Sequence, residues 1–555
     1  MTSSSPPSQI GTYLIHRLDQ AGVRHLFGIP GDYVLDFLDQ VIQSPIEWIG
    51  NCNELNAGYA ADGYARMAGV GAAVVTYGVG GFSILNAVAG ACAEQVPLVL
   101  ISGAPPPARR WANDLVHHLT RDYLLQYDIF RKVTVDSAIL INPRTAPDEI
   151  DRVLTSCLAH KRPVYFELPM GMAQASCRPP QQISFQVECR SDPRALAECI
   201  REAASLLDAA QNPVVLAGVE ILRFGLAAEA LHLIEHIELP FATTVSSKSV
   251  LPELHPQFIG IYQGGVSRRE VREQVESSDC VLSLGVWMTD FDTGGFSMKI
   301  DEARMISANT EHVKIGYHSY TNVQLFDFIT GLEKALSPRS FLTSHPAAPI
   351  MRKNPFHPRS EARLTVPRFF EGLNSFLDDE MILMVEPGDA ICAAPELYIE
   401  EPENFLAQAY YLSIGYCVPA SLGVSLARPG KRPVVLSGDG AFQMTAQEVS
   451  SLMRFNCNPV IFILNNDGYM IERKLHEDGV YNDVQNWRYH ALPAVFGDNA
   501  IGLRVETEGQ LEEALDTARN RPGMLILINL CFPPGDCSSS LEALGARFQA
   551  MSAKK

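Results

Sequence analysis

Asp439 stands in "VVLSGDGAFQMTAQE" and Asn466 in "VIFILNNDGYMIE", each at the end of an apolar, β-rich run, the first between two glycines and the second two residues before one. A carboxylate and a carboxamide offer oxygen ligands, and backbone carbonyls nearby add another. Such a set suits Mg2+ or Ca2+ with part of the shell left to phosphate oxygens. Flanking glycines let a ligand approach the backbone, and a helix N-terminus favours a phosphate. Open α/β sheets bind ligands at the carboxyl ends of their strands. "GDG" or "NNDG" alone is a common turn sequence. The two on successive strands, with a helix between, form a specific signal.

A third acidic residue lies far away, in "GNCNELNAGYAADGYARMAG". At helical spacing Glu54, Gly58, Ala61 and Ala65 share one face, nearly bare of side chains, so another element must pack closely on it. Asn51 followed by Glu54 also fits a helix N-cap with a carboxylate three residues on, which needs no further role.

The elements that must position these residues alternate along the chain. "HLFGIPG", "IEWIG", "AAVVTYG", "PLVLISG" and "PVYFELP" read as buried strands. "IGTYLIHRLDQAG", "YVLDFLDQVIQ" and "FSILNAVAGACAEQ" read as helices between them. That alternation predicts parallel sheets with crossover helices. Pro-rich polar stretches from Cys177 and Ser344 read as linkers. Between them "NPVVLAGVEI", "LPFATTV", "CVLSLGV" and "RMISANT" predict a second α/β unit. "MILMVEPGDA", "RPVVLSGDG", "NPVIFILNN" and "GMLILINL" predict a third, and the tail from Cys537 reads as a terminal helix. The expected domains are 1–180, 195–343 and 361–555, each a doubly wound α/β unit, with no short repeat among them.

Composition bounds the rest. A chain of 555 residues is too long for one core. Its 47% hydrophobic and 19% charged residues are an ordinary globular balance. A net charge of −19 argues against nucleic acid and anionic membranes as partners. The twelve cysteines show no CxxC pair and no zinc spacing. Cys52, Cys92, Cys417 and Cys457 read as core thiols, which suits a reducing compartment. With no signal-peptide pattern at the start and apolar runs well short of the roughly 20 residues of a spanning helix, a cytoplasmic location is expected.

In sequence order, "FGIPGDY", "NELNAGYAADGYAR", "VHHLT", "LSIGY", "GDGAFQMTAQE" and "NNDGYMIE" resemble the thiamine diphosphate-dependent 2-oxo-acid decarboxylases, from about Gln9 to the terminal helix. The pyruvate, indolepyruvate, phenylpyruvate and branched-chain types all belong to that family. The resemblance implies thiamine diphosphate-binding folds at both ends and a nucleotide-fold-like middle domain. It implies that Asp439, Asn466 and the Gly468 carbonyl hold Mg2+. Asp389, Gly440, Ala441, Tyr469, Met470 and Ile471 would line the cofactor site. Ile414 would prop the cofactor in its bent shape, and the Leu412 carbonyl would accept a bond from its 4′-amino group. Glu54 would reach the aminopyrimidine N1′ across a subunit interface and share a proton with it, so that the C2 proton can leave. A small, dry pocket would raise the pKa of such a carboxylate. Asp32, His117, His118 and Glu472 would relay protons to the product side. Singly, each has a plainer reading: Asp32 as a turn or cap residue, the histidine pair as surface, Glu472 as a solvated helix residue. The segment "GAPPPARRWANDLVHH" would cover the site as a mobile, water-excluding loop.

Active sites at the interfaces of a homodimer or homotetramer follow from the same resemblance. The middle domain has no GxGxxG, and "GVEIL" lacks the activating cysteine that some members carry, so activation of that kind is not expected. Ile391 and Cys392 align where pyruvate-specific relatives can carry large aromatics. With Ile471 and Leu475 they predict a pocket for medium-sized aliphatic or aromatic side chains. "YLSIG" departs from the commoner W-G-S-I-G by placing Leu412 where glycine is usual. Three alternatives stay open: a pyruvate decarboxylase, a carboligase related to acetolactate synthase, and a catalytically silent protein of the same fold.

Overall fold

Valine, isoleucine and leucine fill short runs between Gly-, Pro- and Asp-rich turns, and these runs pair in parallel because a helix crosses over between them. A computed structural model describes residues 8–183, 185, 190–338, 355–399 and 401–552. The first seven residues and the last three lie outside the described residues. So do 184, 186–189 and 344–354 of the two expected linkers, and residue 400.

The first unit is a six-stranded, all-parallel sheet. Its spatial order is Glu47–Gly50, His25–Gly28, Gly71–Val75, Leu98–Ala104, Val164–Pro169, Asp136–Ile139. The last unit repeats that order with Phe405–Ala407, Met381–Val385, Arg432–Gly438, Val460–Asn465, Leu525–Cys531 and Ala500–Val505, again all parallel. Numbered along the chain, both sheets run 2-1-3-4-6-5. The middle sheet has five parallel strands, Phe258–Ile261, Phe241–Thr243, Pro213–Ala217, Cys280–Leu284 and Met305–Asn309. Two antiparallel strands, His312–Ile315 and His318–Thr321, extend its edge. The parallel middle sheet expected from sequence thus gains an antiparallel edge. The hairpin strands are short and polar and carry no continuous apolar run.

The helix Glu54–Ala68 has close neighbours on two opposite sides, its nearly bare face on one and Gly63 on the other. A methyl on Gly58 would lie 2.5 Å from Ala87 of the helix Val79–Ala93. One on Gly63 would lie 2.4 Å from the Ala420 carbonyl of the helix Cys417–Ala427, and one on Gly423 only 1.9 Å from the Ala60 carbonyl. The first and last units therefore meet through two helices packed backbone to backbone. Their buried residues form one continuous core.

Charge fastens the third unit to this pair. Buried Arg66 binds Asp62 at 2.6 Å and lies 3.6 Å from Glu94, and Arg223 of the middle unit lies 3.7 Å from the same Glu94. Glu94 also accepts the N–H groups of Tyr410 and Tyr411. Two cations and two anions balance, as buried charge requires.

Candidate active site

The turn Pro387-Gly388-Asp389 and the GDG turn end neighbouring strands of the last sheet, and between them opens a cleft. Its walls include Gly388, Asp389, Ala390, Ile414, Gly438, Asp439, Gly440, Ala441, Asn466 and Gly468 to Glu472. Asp439 opens the helix Asp439–Thr445 and is only 2% exposed. Its Oδ1 accepts the Gly440 N–H at 2.8 Å and its Oδ2 the Gly468 N–H at 2.9 Å. Burial pushes its carboxyl up to about 6, against the pull of these donors. Gly468 has φ +142°, and a methyl there would lie 2.1 Å from the Asn482 carbonyl, so the turn needs glycine.

The two asparagines of "NN" divide. Asn465 faces inward to Asn529 and Asn486, both at 3.1 Å. Asn466 lines the cleft, and its side chain has no hydrogen-bond partner among the described residues. A methyl on Gly388 or Gly438 would meet nothing within 4 Å, so this wall is open. A buried carboxylate anchored at both oxygens, a free carboxamide and an open glycine wall fit a metal–diphosphate group.

Neighbouring loops hold this wall. Asp389 accepts both the N–H and the Oγ–H of Ser538, which caps the terminal helix Ser539–Ser552. Burial raises the Asp389 carboxyl to about 6. Leu412 adopts φ +56°, the left-handed conformation that favours glycine. Behind it, buried Glu386 accepts the N–H groups of Gly415 at 3.2 Å and Cys417 at 2.7 Å.

A second cluster lies in the first unit, at the carboxyl ends of its strands. Asp32 follows Pro30-Gly31 just as Asp389 follows Pro387-Gly388. Its Oδ2 lies 2.7 Å from His117 Nε2. The His117 ring stacks on Tyr33 at 4.7 Å and meets His118 edge-on at 4.8 Å. Ligand atoms of Asp32, His117 and His118 lie within 4.8 Å of one another. Asp32 is the first residue of a 3-10 turn and is paired, and the buried His118 Nδ1 has no hydrogen-bond partner among the described residues. Glu54 lies in this unit too, its Oε1 3.3 Å from where a methyl on Gly80 would sit, at the start of the helix Val79–Ala93. Glu54 is half-buried, so one chain alone does not form a dry pocket around it. Residues 103–118 carry a short helix, Pro107–Ala112, tied down by Arg110 to Glu167 at 2.8 Å. Trp111 and Leu115 of that segment are exposed.

Several expectations need correction. The cap of the helix is Asn53, whose side chain accepts the Asn56 N–H, and not Asn51. Cys52 is exposed and Cys92 half-buried, while Cys417 and Cys457 are buried as expected. Cys52 precedes the helix, and its thiol lies against Gln447 and Ser450 of the last unit at the edge of that contact. In a single chain Ile391 and Cys392 lie on the core side of the helix Asp389–Ala393, which turns Asp389 and Ala390 toward the cleft. Leu475 is also absent from the cleft walls, leaving Ile471 as the one predicted pocket residue that lines them. Glu472 sits at the cleft rim and is exposed. Tyr33, Ser538, Glu386 and Glu448 support these groups without having been singled out. Only Ser538, preceding a helical run in "CSSSLEA", carried a local signal.

Residues 8–124 match the family described as thiamine pyrophosphate enzyme, N-terminal TPP binding domain. Residues 200–336 match its central domain and 390–528 its C-terminal TPP binding domain. The chain is 37% identical over 542 residues to the alpha-keto-acid decarboxylase of Mycobacterium leprae, covering 96% of this chain and 95% of that one. Against the alpha-keto-acid decarboxylase of Mycobacterium ulcerans it is 35% identical over 547 residues, covering 98% and 96%. This chain belongs to the thiamine diphosphate-dependent 2-oxo-acid decarboxylases. It is thus a carbon–carbon lyase that uses thiamine diphosphate, and both end units are of the cofactor-binding kind. In the middle unit of this decarboxylase, Glu220 of "GVEIL" is a strut. It accepts Trp287 Nε1 at 3.0 Å and the Thr310 N–H at 2.7 Å. No helix among the described residues is long and apolar enough to cross a membrane.

Proposed function

We propose that the enzyme decarboxylates a 2-oxo acid non-oxidatively to an aldehyde and CO2, with Mg2+ beside the cofactor and a preference for medium-sized aliphatic or aromatic side chains. The observation that carries the reading is the Asp439–Gly468 clamp facing an open glycine wall, with Asn466 free beside it. Asp439, Asn466 and the Gly468 carbonyl hold the metal. Asp389, Leu412, Ile414, Gly440, Ala441, Tyr469, Met470 and Ile471 surround the cofactor. When bound, thiamine diphosphate supplies a nucleophilic carbon and a sink for the electrons that the departing carboxylate leaves behind.

The chain's own groups manage the protons. Glu54 holds one at the aminopyrimidine N1′. The Asp32–His117 pair, with His118 beside it and Glu472 from the cleft rim, delivers one to the carbon that has lost CO2. Asp32 orients the imidazole, as a carboxylate partner does elsewhere. Glu54, Asp32, His117 and His118 are absent from the cleft walls formed by a single chain. A homodimer or homotetramer that brings the first unit of one chain to the cleft of another accounts for this. Exposed apolar residues beside both half-sites support it: Val79 and Leu115 in the first unit, Met444 and Val480 in the last. The free thiols among the described residues fit a cytoplasmic setting.

A panel of 2-oxo acids with thiamine diphosphate and Mg2+, reading CO2 and aldehyde, tests the proposal. We expect kcat/KM for 4-methyl-2-oxopentanoate or phenylpyruvate to exceed that for pyruvate by about tenfold or more, since each methylene in an apolar pocket contributes about 1–3 kcal/mol. A preference for pyruvate would make it a pyruvate decarboxylase, and acyloin as the main product a carboligase.

A further inference from the structure

The start of the helix that carries Glu54 is held by a side chain from the last unit. Glu448 opens the helix Glu448–Arg454 and is fully buried. Its Oε1 accepts from Asn51 Nδ2 at 2.8 Å. Its Oε2 accepts from the Cys52 N–H at 3.2 Å and from Asn56 Nδ2 at 2.7 Å. These three partners bracket Glu54 on both sides. All of them are donors, so the site is built for an acceptor on both oxygens. Asn51 is fixed from behind as well: its Oδ1 accepts the Gly28 N–H at 3.2 Å, at the end of the first strand. The clamp therefore joins a strand end, the two residues before the cap, and the first turn of the helix. Glu54 itself has no hydrogen bond among the described residues, so the backbone of this turn sets where its carboxylate stands.

We propose that Glu448 is a positioning residue for Glu54. By taking three hydrogen bonds from the residues around Glu54, it fixes the direction in which that carboxylate leaves the helix. This rests on the reading of Glu54 as the group that meets the cofactor's aminopyrimidine. Geometry at a proton-sharing contact is exacting, and a shift near 1 Å can slow a step about a hundredfold. A glutamine at 448 keeps one acceptor and turns an NH2 toward a donor. An aspartate at 51 would accept from that NH2 and still accept the Gly28 N–H, so the double change restores the polarity of the clamp.

The test uses the holoenzyme and reads exchange of the cofactor's C2 hydrogen for deuterium, alongside thiamine diphosphate affinity and melting temperature. Glu448→Gln is expected to slow exchange about a hundredfold, with cofactor affinity nearly unchanged. Glu448→Gln/Asn51→Asp should win back most of that loss, and Asn51→Asp alone should be impaired. If Glu448→Gln fails to fold, Asn51→Ala removes one bond of the three and should slow exchange by a smaller factor at near-normal affinity. Wild-type exchange in the folded single variants, beside slow exchange in Glu54→Gln, would overturn the positioning role alone. Wild-type exchange in Glu54→Gln would overturn the Glu54 reading and the clamp with it. Exchange, affinity and melting temperature falling together, without recovery in the double variant, would reduce Glu448 to a structural residue.

Discussion

Asp439 shows how burial sets the working range of a single residue. Its carboxyl is pushed up to about 6 by desolvation, while a metal requires it ionised. The affinity of the chain for thiamine diphosphate with Mg2+ should therefore weaken as pH falls through about 6, approaching tenfold per unit below it. Calorimetric titrations on either side of that pH would check this, and a flat profile would remove Asp439 from the metal site. The residue was legible because glycine, carboxylate and glycine at a strand end serve few purposes together with "NNDG". In a single chain Ile391 and Cys392 are buried in the core, on the side of their short helix away from Asp389 and Ala390. A short helix shows the cleft one face, and which face cannot be told from five residues.

At the scale of elements, close approach and burial replace chemistry as the deciding terms. A methyl on Gly423 would lie 1.9 Å from the Ala60 carbonyl and 2.6 Å from the Tyr64 nitrogen, both backbone atoms that cannot step aside. Gly423→Ala should force the two crossing helices apart and cost about 1–3 kcal/mol or more, read as a lower denaturant midpoint. The loop that carries Leu412 and Ile414 rests on Glu386, whose carboxyl burial raises to about 8 from an ordinary 4.5, despite the backbone donors that lower it. A carboxyl raised on folding contributes stability that is complete below the unfolded value and is lost as pH rises through the folded one. Melting temperature should thus carry a decline between about 4.5 and 8 that Glu386→Gln flattens. An unchanged pH profile would show that Glu386 does not titrate there. The short strands Asp136–Ile139, Phe405–Ala407 and Ala500–Val505 escaped the sequence pattern because edge strands need no long apolar run.

At the scale of the whole molecule, the two half-sites stand on separate units with the same strand order, 2-1-3-4-6-5. Mixing a Glu54→Gln chain with an Asp439→Ala chain should restore part of the activity once subunits exchange. Each mixed dimer would then contain one site with both groups intact, and up to about half of wild-type activity per such dimer is the ceiling. No recovery despite demonstrated exchange would mean that each chain works alone.

The sequence by itself determined the class of fold and the family. Strand ends, glycines and acids are local signals, and they survive without knowledge of partners far along the chain. Tertiary structure alone decided that Asp32 pairs with His117 across 85 residues and that Glu448 clamps Asn51 and Asn56 across more than 390. It alone revealed that Pro30-Gly31-Asp32 and Pro387-Gly388-Asp389 end equivalent strands of two like sheets. The physical reason is the same in each case. A hydrogen bond or a packed face belongs to two segments at once, and periodicity within one segment carries no record of the other.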